Sequence, residues 1–178
     1  VYMNFLDPKK FVCREVLYVA GRDGDEMLVR RGGSRSPYMK VWLNPAGSME
    51  MRENRYPLTE FGVENLLDRQ VEVAKEDLQH GECDVKYYQG AKVDGRVCTG
   101  LEVRHPILRK HFRFHVARVL VDDELRVPVH YSSYTWPQKT GDPPVLLEEY
   151  TYRDVRLNVG LTEFDFDRNN PEYGLKLD

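Results

Sequence analysis

The stretch CDVKYYQGAKVDGRVCTGLEVRH, residues 83–105, indicates the fold class of this chain. Apolar and polar side chains alternate in Cys83–Gln89 and again in Arg96–His105, as they do in half-buried β-strands. Asp94-Gly95 lies between the two segments, and this dipeptide favours the tight turn of a β-hairpin. The second segment places four side chains on one face: Val97, Thr99, Leu101 and Val103. The stretch therefore predicts an antiparallel hairpin.

The same two-residue period recurs along most of the chain. It predicts further strands at Val12–Ala20, Glu26–Arg31, Tyr38–Leu43, Phe112–Val116, Val127–Tyr131 and Val145–Val159. Turns such as Gly21–Asp25 and Asn44–Gly47 separate them. Pro128 indicates an edge strand or a bulge, and the length of the last strand implies a strongly curved sheet.

One long amphipathic helix interrupts the strands. Thr59 is a suitable N-cap, and Gly81 is a natural residue to end the helix. Between them, apolar residues follow at spacings of three and four and form a single stripe: Val63, Leu66, Leu67, Val71, Ala74 and Leu78. We expect this stripe to pack against a sheet.

These elements predict a mainly β fold. We expect a single curved antiparallel sheet, an incomplete half-barrel of about eight to ten strands, wrapped around the helix. A parallel βαβ arrangement does not fit, because strands and helices do not alternate. The chain, residues 1–178, is expected to form a single domain.

Composition narrows the function classes. Hydrophobic residues make up 41% of the chain and charged residues 31%, which is typical of a globular protein. The formal net charge of −3 gives no electrostatic attraction to nucleic acid, so we expect no nucleic-acid partner. The sequence contains no apolar run long enough to span a membrane.

Three cysteines are present, and their spacing does not match a zinc site. Cys83 and Cys98 flank the predicted hairpin and could lie on neighbouring strands. A disulfide between them and two free thiols are both open, and the free thiols are the favoured alternative.

The candidate catalytic and metal-binding groups have simpler structural explanations. His111 and His115 would lie about 13 Å apart on one strand, so they need His105 to form a metal site. Asp165 and Asp167 could bind calcium with Asn169, but such side chains also cap turns. Ser132, Ser133 and Thr135 near His130 lack a nucleophile elbow. We therefore expect no enzyme activity, no bound metal and no cofactor.

The remaining constellation is aromatic and apolar. The curved strands that face the helix carry eight candidate ligand-binding residues: Trp42, Leu101, Val103, Phe112, Phe114, Val116, Tyr131 and Trp136. An ordinary packed core is the favoured explanation of this pattern. The alternative is an apolar cavity between a half-closed sheet and its helical lid, since small-molecule sites are concave and apolar.

Several segments resemble a bacterial family called domain of unknown function 1571. They are VYMNFLDPKK (1–10), REVLYV (14–19), NRYPLTEFGVENLL (54–67), YTWP (134–137) and LLEEYTYRDVRLNVGLTEFDFDRNNPEY (146–173). The resemblance covers essentially the whole chain. That family is similar to the lipoprotein-carrier class, the fold of LolA, LolB and RseB.

The resemblance implies an incomplete barrel around a helical plug, with an apolar cavity for acyl chains. It implies a periplasmic or cell-envelope protein whose partner is an acyl chain, a lipoprotein or an apolar peptide. The alternative is a structural or protein-interaction module with a filled core and no ligand. Relatives carry an N-terminal helix and further strands before the segment that matches Val1–Leu6, so we expect the chain to lack these elements.

Overall fold

The computed structural model of the chain describes residues 1–34, 38–48, 50–52, 54–139 and 141–177. The chain divides into two compact units. The first comprises Val1–Phe61 together with Asn158–Asp178, and the second comprises Gly62–Leu157. Each unit contains one antiparallel sheet, and the described residues contain one α-helix. The predicted mainly β fold with one long helix is confirmed.

The sheet of the first unit has four strands in sequence order. They are β1 (Tyr2–Asn4), β2 (Glu15–Leu17), β3 (Met27–Arg30) and β4 (Lys40–Leu43). Side chains alternate between the two faces of the sheet. One hydrophobic cluster therefore contains Val16, Met27 and Val29, with Val41 and Leu43 packed against it. The other cluster contains Leu17, Leu28 and Leu175, and Trp42 packs there. Val41 and Trp42 therefore lie on opposite faces of the sheet.

The C-terminal tail covers one face of this sheet. Leu175 is fully buried, and the ring of Tyr173 stacks on Tyr2 with centroids 3.8 Å apart. The backbone amide of Gly174 donates to Glu15 Oε2 at 2.7 Å, and Arg30 donates to the other oxygen of Glu15 at 2.9 Å. A hydrogen bond to the buried carboxylate of Glu15 and a ring stack thus fasten the tail. Short 3-10 turns occur at Asp23–Asp25, Glu50–Arg52, Leu58–Glu60 and Glu163–Phe166.

The sheet of the second unit has five strands, again in sequence order. They are β5 (Asp84–Val93), β6 (Arg96–Arg104), β7 (Val116–Asp122), β8 (Pro128–Thr135) and β9 (Val145–Thr151). The predicted hairpin is confirmed, because Asp94 and Gly95 take φ values of 52° and 79°, as a two-residue turn of this kind requires. A register shift between Leu120 and Val121 confirms the bulge expected at Pro128.

Helix α1 runs from Val63 to His80. Gly81 ends it with a left-handed φ of 63°, as predicted. The predicted N-cap is wrong: Thr59 belongs to a 3-10 turn, and Gly62, with a φ of 124°, precedes the first helical residue. Such a backbone angle is open only to glycine, so the helix begins after it.

The predicted buried stripe of α1 is also wrong. Val73 and Asp77 are buried and Leu66 packs into the same core, whereas Leu67, Val71, Ala74 and Leu78 are exposed. The buried face of the helix differs from the predicted face because Asp77 points inward to the imidazole of His105. Counting apolar residues cannot identify the buried face when a carboxylate lies in its centre.

Several strand predictions need correction. The strands form two sheets instead of one, because two 3-10 turns and α1 separate β4 from β5. The strand predicted at Val145–Val159 ends at Thr151, since Asp154 and Asn158 have left-handed φ values of 48° and 54°. In the same way, β2 begins at Glu15 because Cys13 has a φ of 62°.

The cysteines are free thiols, as favoured from the sequence. Cys98 pairs with Ala91 across the hairpin, whereas Cys83 precedes Asp84, which pairs with Arg104. The two cysteines therefore lie at different levels of the hairpin, and a disulfide between them does not form.

Candidate functional site

The helix and the sheet of the second unit meet in a filled core. Val73 of α1 packs with Phe114, Ala117 and Tyr131, all of which are buried. Partly buried side chains close the edges of this cluster: Leu66, Val103, Val119, Leu147 and Tyr150. Of the eight predicted ligand-binding residues, Val103, Phe114 and Tyr131 are brought together here. All three belong to or pack against the cluster that contains Val73 of the helix.

The other five predicted residues lie in different surroundings. Val116 is buried at the start of β7, and Leu101 is half-buried in β6. Phe112 precedes β7 in a loop instead of a strand, and its ring stacks on His105 with centroids 3.9 Å apart. Trp136 lies beside His115, and Trp42 belongs to the first unit.

His105 is a fully buried polar residue of the second unit. Its Nδ1 donates to the carbonyl oxygen of Phe114 at 3.0 Å. Nε2 lies 3.2 Å from Oδ2 of Asp77. A nearby imidazole repeats the motif, since His115 Nδ1 donates to the carbonyl oxygen of His105 at 2.8 Å. Both histidines are buried, and their hydrogen bonds fasten the loop between β6 and β7.

Asp77 has a perturbed titration. Burial raises the pKa of its carboxyl group above the ordinary value of 3.8, and the nearby imidazole of His105 opposes that effect. Because Asp77 and His105 are both buried, the pair is a structural link from α1 to the end of β6.

One flank of α1 is apolar and exposed. Leu67, Val71, Ala74 and Leu78, here named the α1 stripe, recur at spacings of four, three and four, so they share one side of the helix. Leu67 is 40% exposed, Val71 49% and Leu78 69%. The spacing of these residues predicted one apolar stripe, but it also predicted that the stripe packs against a sheet.

The edge strand β5 exposes further apolar side chains. Val85 lies opposite Val103, and Tyr87 lies opposite Leu101, so both belong to the sheet face that α1 covers. Val85 is 45% exposed and Tyr87 76%. The alternation of the sequence indicated which side chains share a face. It could not show that α1 leaves Val85 and Tyr87, at the β5 edge of that face, exposed.

A model of one protein family, described as a protein of unknown function (DUF1571), matches residues 1–175. The chain belongs to this family. No curated protein and no solved structure matches it. The predicted membership in DUF1571 is thus confirmed, and the likeness to the lipoprotein-carrier fold stays a prediction.

The acidic groups that could have formed a calcium site in this DUF1571 chain cap turns. Asp165 Oδ2 accepts hydrogen bonds from the backbone amide and hydroxyl of Thr162 at 2.6 and 2.9 Å. Asp167 Oδ1 accepts from the backbone and side-chain amides of Asn169 at 2.8 and 3.0 Å. Among the described residues, no group of three His, Cys, Asp or Glu side chains is arranged to hold a metal ion.

The serines near His130 are arranged structurally. His130 Nδ1 lies 2.9 Å from Thr151 Oγ1, and Nε2 lies 3.3 Å from Ser132 Oγ. Ser132 is 1% exposed, so a substrate does not reach its hydroxyl. The neighbouring Ser133 donates to Glu148 at 3.2 Å, across the β8–β9 pair.

In the part of the chain that the structure describes, no helix is long and apolar enough to cross a membrane.

Proposed function

We propose that this DUF1571 protein is a non-enzymatic protein of the bacterial cell envelope that binds an acyl chain, a lipoprotein or an apolar peptide. The observation that supports the proposal is the α1 stripe, a continuous row of apolar side chains that the fold leaves in contact with solvent. The envelope location follows from the resemblance to the lipoprotein-carrier class.

Exposing the apolar side chains of the α1 stripe to water costs free energy. Large exposed apolar patches on soluble proteins mark partner or ligand sites. Each acyl methylene that leaves water contributes about 0.8 kcal/mol, so a chain laid along the helix gains affinity without a specific polar contact. Apolar side chains of β5, Val85 and Tyr87, extend the surface available on the second unit.

We propose a ligand position different from the cavity expected from sequence. Phe112 and Phe114 are buried contacts of the core, where they support His105. The space directly under the helix is occupied by side chains. A ligand therefore lies along the exposed flank of α1, and substitutions in the core test folding instead of binding.

The experiment is a titration of a fluorescent fatty acid into the purified chain. Val71→Glu and Leu78→Glu each place a carboxylate on the α1 stripe, and Gln79→Glu is the matched control. Gln79 is also exposed, on the same helix, and its substitution makes the same change in charge. We expect each stripe variant to weaken binding by about tenfold, which corresponds to losing the burial of one aliphatic side chain.

Gln79→Glu should bind like the wild type, and all three variants should keep their circular dichroism. Equal affinity in the wild type and in both stripe variants contradicts the proposal.

A second candidate function is a structural or protein-interaction module. The filled core beneath α1 favours it, since that core needs no ligand to complete it. This candidate predicts that the wild type binds no fatty acid and that its thermal midpoint is unchanged by the probe. The same titration, followed by a thermal melt, distinguishes the two functions.

A further inference from the structure

The first unit contains a cleft that is separate from the α1 stripe. Its volume is about 450 Å³, which lies within the range of about 300–1,000 Å³ typical of small-molecule sites. The 3-10 turns Asp23–Asp25 and Glu163–Phe166 contribute to its walls. The tail that contains the second turn is fastened to the sheet through Tyr173 and Leu175.

Part of the cleft lining is apolar, and most of that part is aromatic. Five of its residues are apolar: Leu17, Val19, Trp42, Phe164 and Phe166. Trp42 already faces a cation, because the guanidinium carbon of Arg168 lies 5.8 Å from its ring centroid. The ring face is thus in the geometry that attracts positive charge.

The charged residues of the cleft leave an excess of negative charge. The lining contains four carboxylates, Asp23, Glu26, Glu163 and Asp167, and two guanidinium groups, Arg22 and Arg168, so its formal charge is 2 − 4 = −2. Arg22 pairs with Glu163, and Arg168 Nη1 lies 4.0 Å from Asp23 Oδ1.

Two of these carboxylates lack a cationic partner. Within the described residues, no lysine or arginine lies at ion-pair distance from Glu26 or Asp167. Asp167 uses one oxygen, Oδ1, to accept from Asn169. Their negative charge is therefore available to a ligand.

We propose that this cleft binds an aliphatic polyamine. Methylene groups suit the apolar walls, and ammonium groups suit both the face of Trp42 and the carboxylates of Glu26 and Asp167. The net negative charge of the cleft would repel an anionic ligand. A fatty acid would bring a carboxylate against others, so this site is distinct in chemistry from the acyl-binding surface of the second unit.

Calorimetric titration of spermidine into the whole chain tests the site. Glu26→Gln removes one ligand carboxylate, and Glu172→Gln is its control, because Glu172 is exposed on the same unit and does not line the cleft. We expect saturable binding with one spermidine per chain. Glu26→Gln should weaken it by about tenfold, as expected for the loss of a charge-assisted hydrogen bond, and Glu172→Gln should not.

A second pair of variants tests the aromatic lining. Phe164→Ala shortens a side chain that is 55% exposed in the cleft, and Leu161→Ala shortens a neighbouring exposed side chain outside it. Only Phe164→Ala should weaken spermidine binding. The α1 stripe variants should leave it unchanged, so failure of this proposal is distinguishable from failure of the acyl-binding proposal.

Two results overturn the polyamine site. One is the absence of saturable binding at millimolar spermidine. The other is equal weakening by Glu26→Gln and Glu172→Gln, which indicates only general attraction between a polycation and an acidic protein.

Discussion

His105 and Asp77 join the end of strand β6 to the underside of helix α1, with imidazole Nε2 3.2 Å from carboxylate Oδ2. The other ring nitrogen donates to the carbonyl oxygen of Phe114. One side chain therefore connects three segments, the helix, the end of a strand and the loop before β7. This connection explains why α1 buries a carboxylate and leaves four apolar residues in solvent.

Breaking the pair from one side should be costly. His105→Ala leaves the Asp77 carboxylate buried without its partner, and we expect the free energy of unfolding to fall by about 3 kcal/mol. Asp77→Asn removes that charge, so the double variant should lose less than the sum of the two single losses. Urea unfolding of the wild type and the three variants measures this coupling, and strict additivity would contradict it.

The raised pKa of Asp77 predicts the sign of one pH dependence. The unfolded chain loses this proton near the ordinary value of 3.8, and the folded chain loses it at a higher pH. Between these values the folded state binds more protons, so the contribution of Asp77 to stability decreases as pH rises above 3.8. Asp77→Asn should lack this decrease. Urea midpoints that show the same slope in both proteins would count against the assignment.

Asp122 should show the opposite dependence. The side-chain hydrogen bond from Arg96 and the backbone amides of Leu125 and Glu124 lower the pKa of its carboxyl group well below 3.8. Its contribution is therefore present above pH 3.8 and is lost as the pH falls below that value. Asp122→Asn should be less stable than the wild type at neutral pH, and the difference should shrink on acidification. Thermal midpoints across the acid range test this, and a constant difference would refute it.

Gly100 provides room for an aromatic ring on the neighbouring strand. It pairs with Tyr88, and a Cβ at Gly100 would meet three atoms of the Tyr88 ring, including Cε1 at 2.7 Å. Gly100→Ala should destabilise the protein by about 1–3 kcal/mol because the ring must move.

Tyr88→Ala removes the obstacle, so the Gly100→Ala change should cost much less in that background. Chemical denaturation of both single variants and the double variant measures the difference. The same cost in both backgrounds would show that the ring is not responsible.

The sequence predicted the elements whose causes are local. Asp94-Gly95 specifies the hairpin turn by itself, and Gly81 ends α1 because it accepts a left-handed backbone. The strand limits at Cys13 and Asp154 were missed, since these residues have positive φ values that their types do not require. The division into two sheets was missed because alternation does not specify which strands pair.

The exposure of the α1 stripe and the cleft of the first unit depend on tertiary contacts. Sequence spacing alone therefore could not predict them. The apolar stripe of α1 was identified from its spacing, but its exposure follows from the inward orientation of Asp77. No spacing rule relates Asp77 to His105. The cleft of the first unit is formed by residues 17–42 and 163–169. Of its lining, the sequence indicated Trp42 for an apolar ligand, and Asp167 and Asn169 only as possible calcium ligands.

The most direct test of the acyl-binding proposal is mass spectrometry of organic extracts from the protein purified without detergent from its native cells. Three proteins are compared: the wild type, the double variant Val71→Glu/Leu78→Glu and the control Gln79→Glu. The account predicts acyl chains in stoichiometric amounts with the wild type and the control, and their loss from the folded double variant. A lipid-free wild type, or equal amounts of lipid in all three proteins, would contradict it.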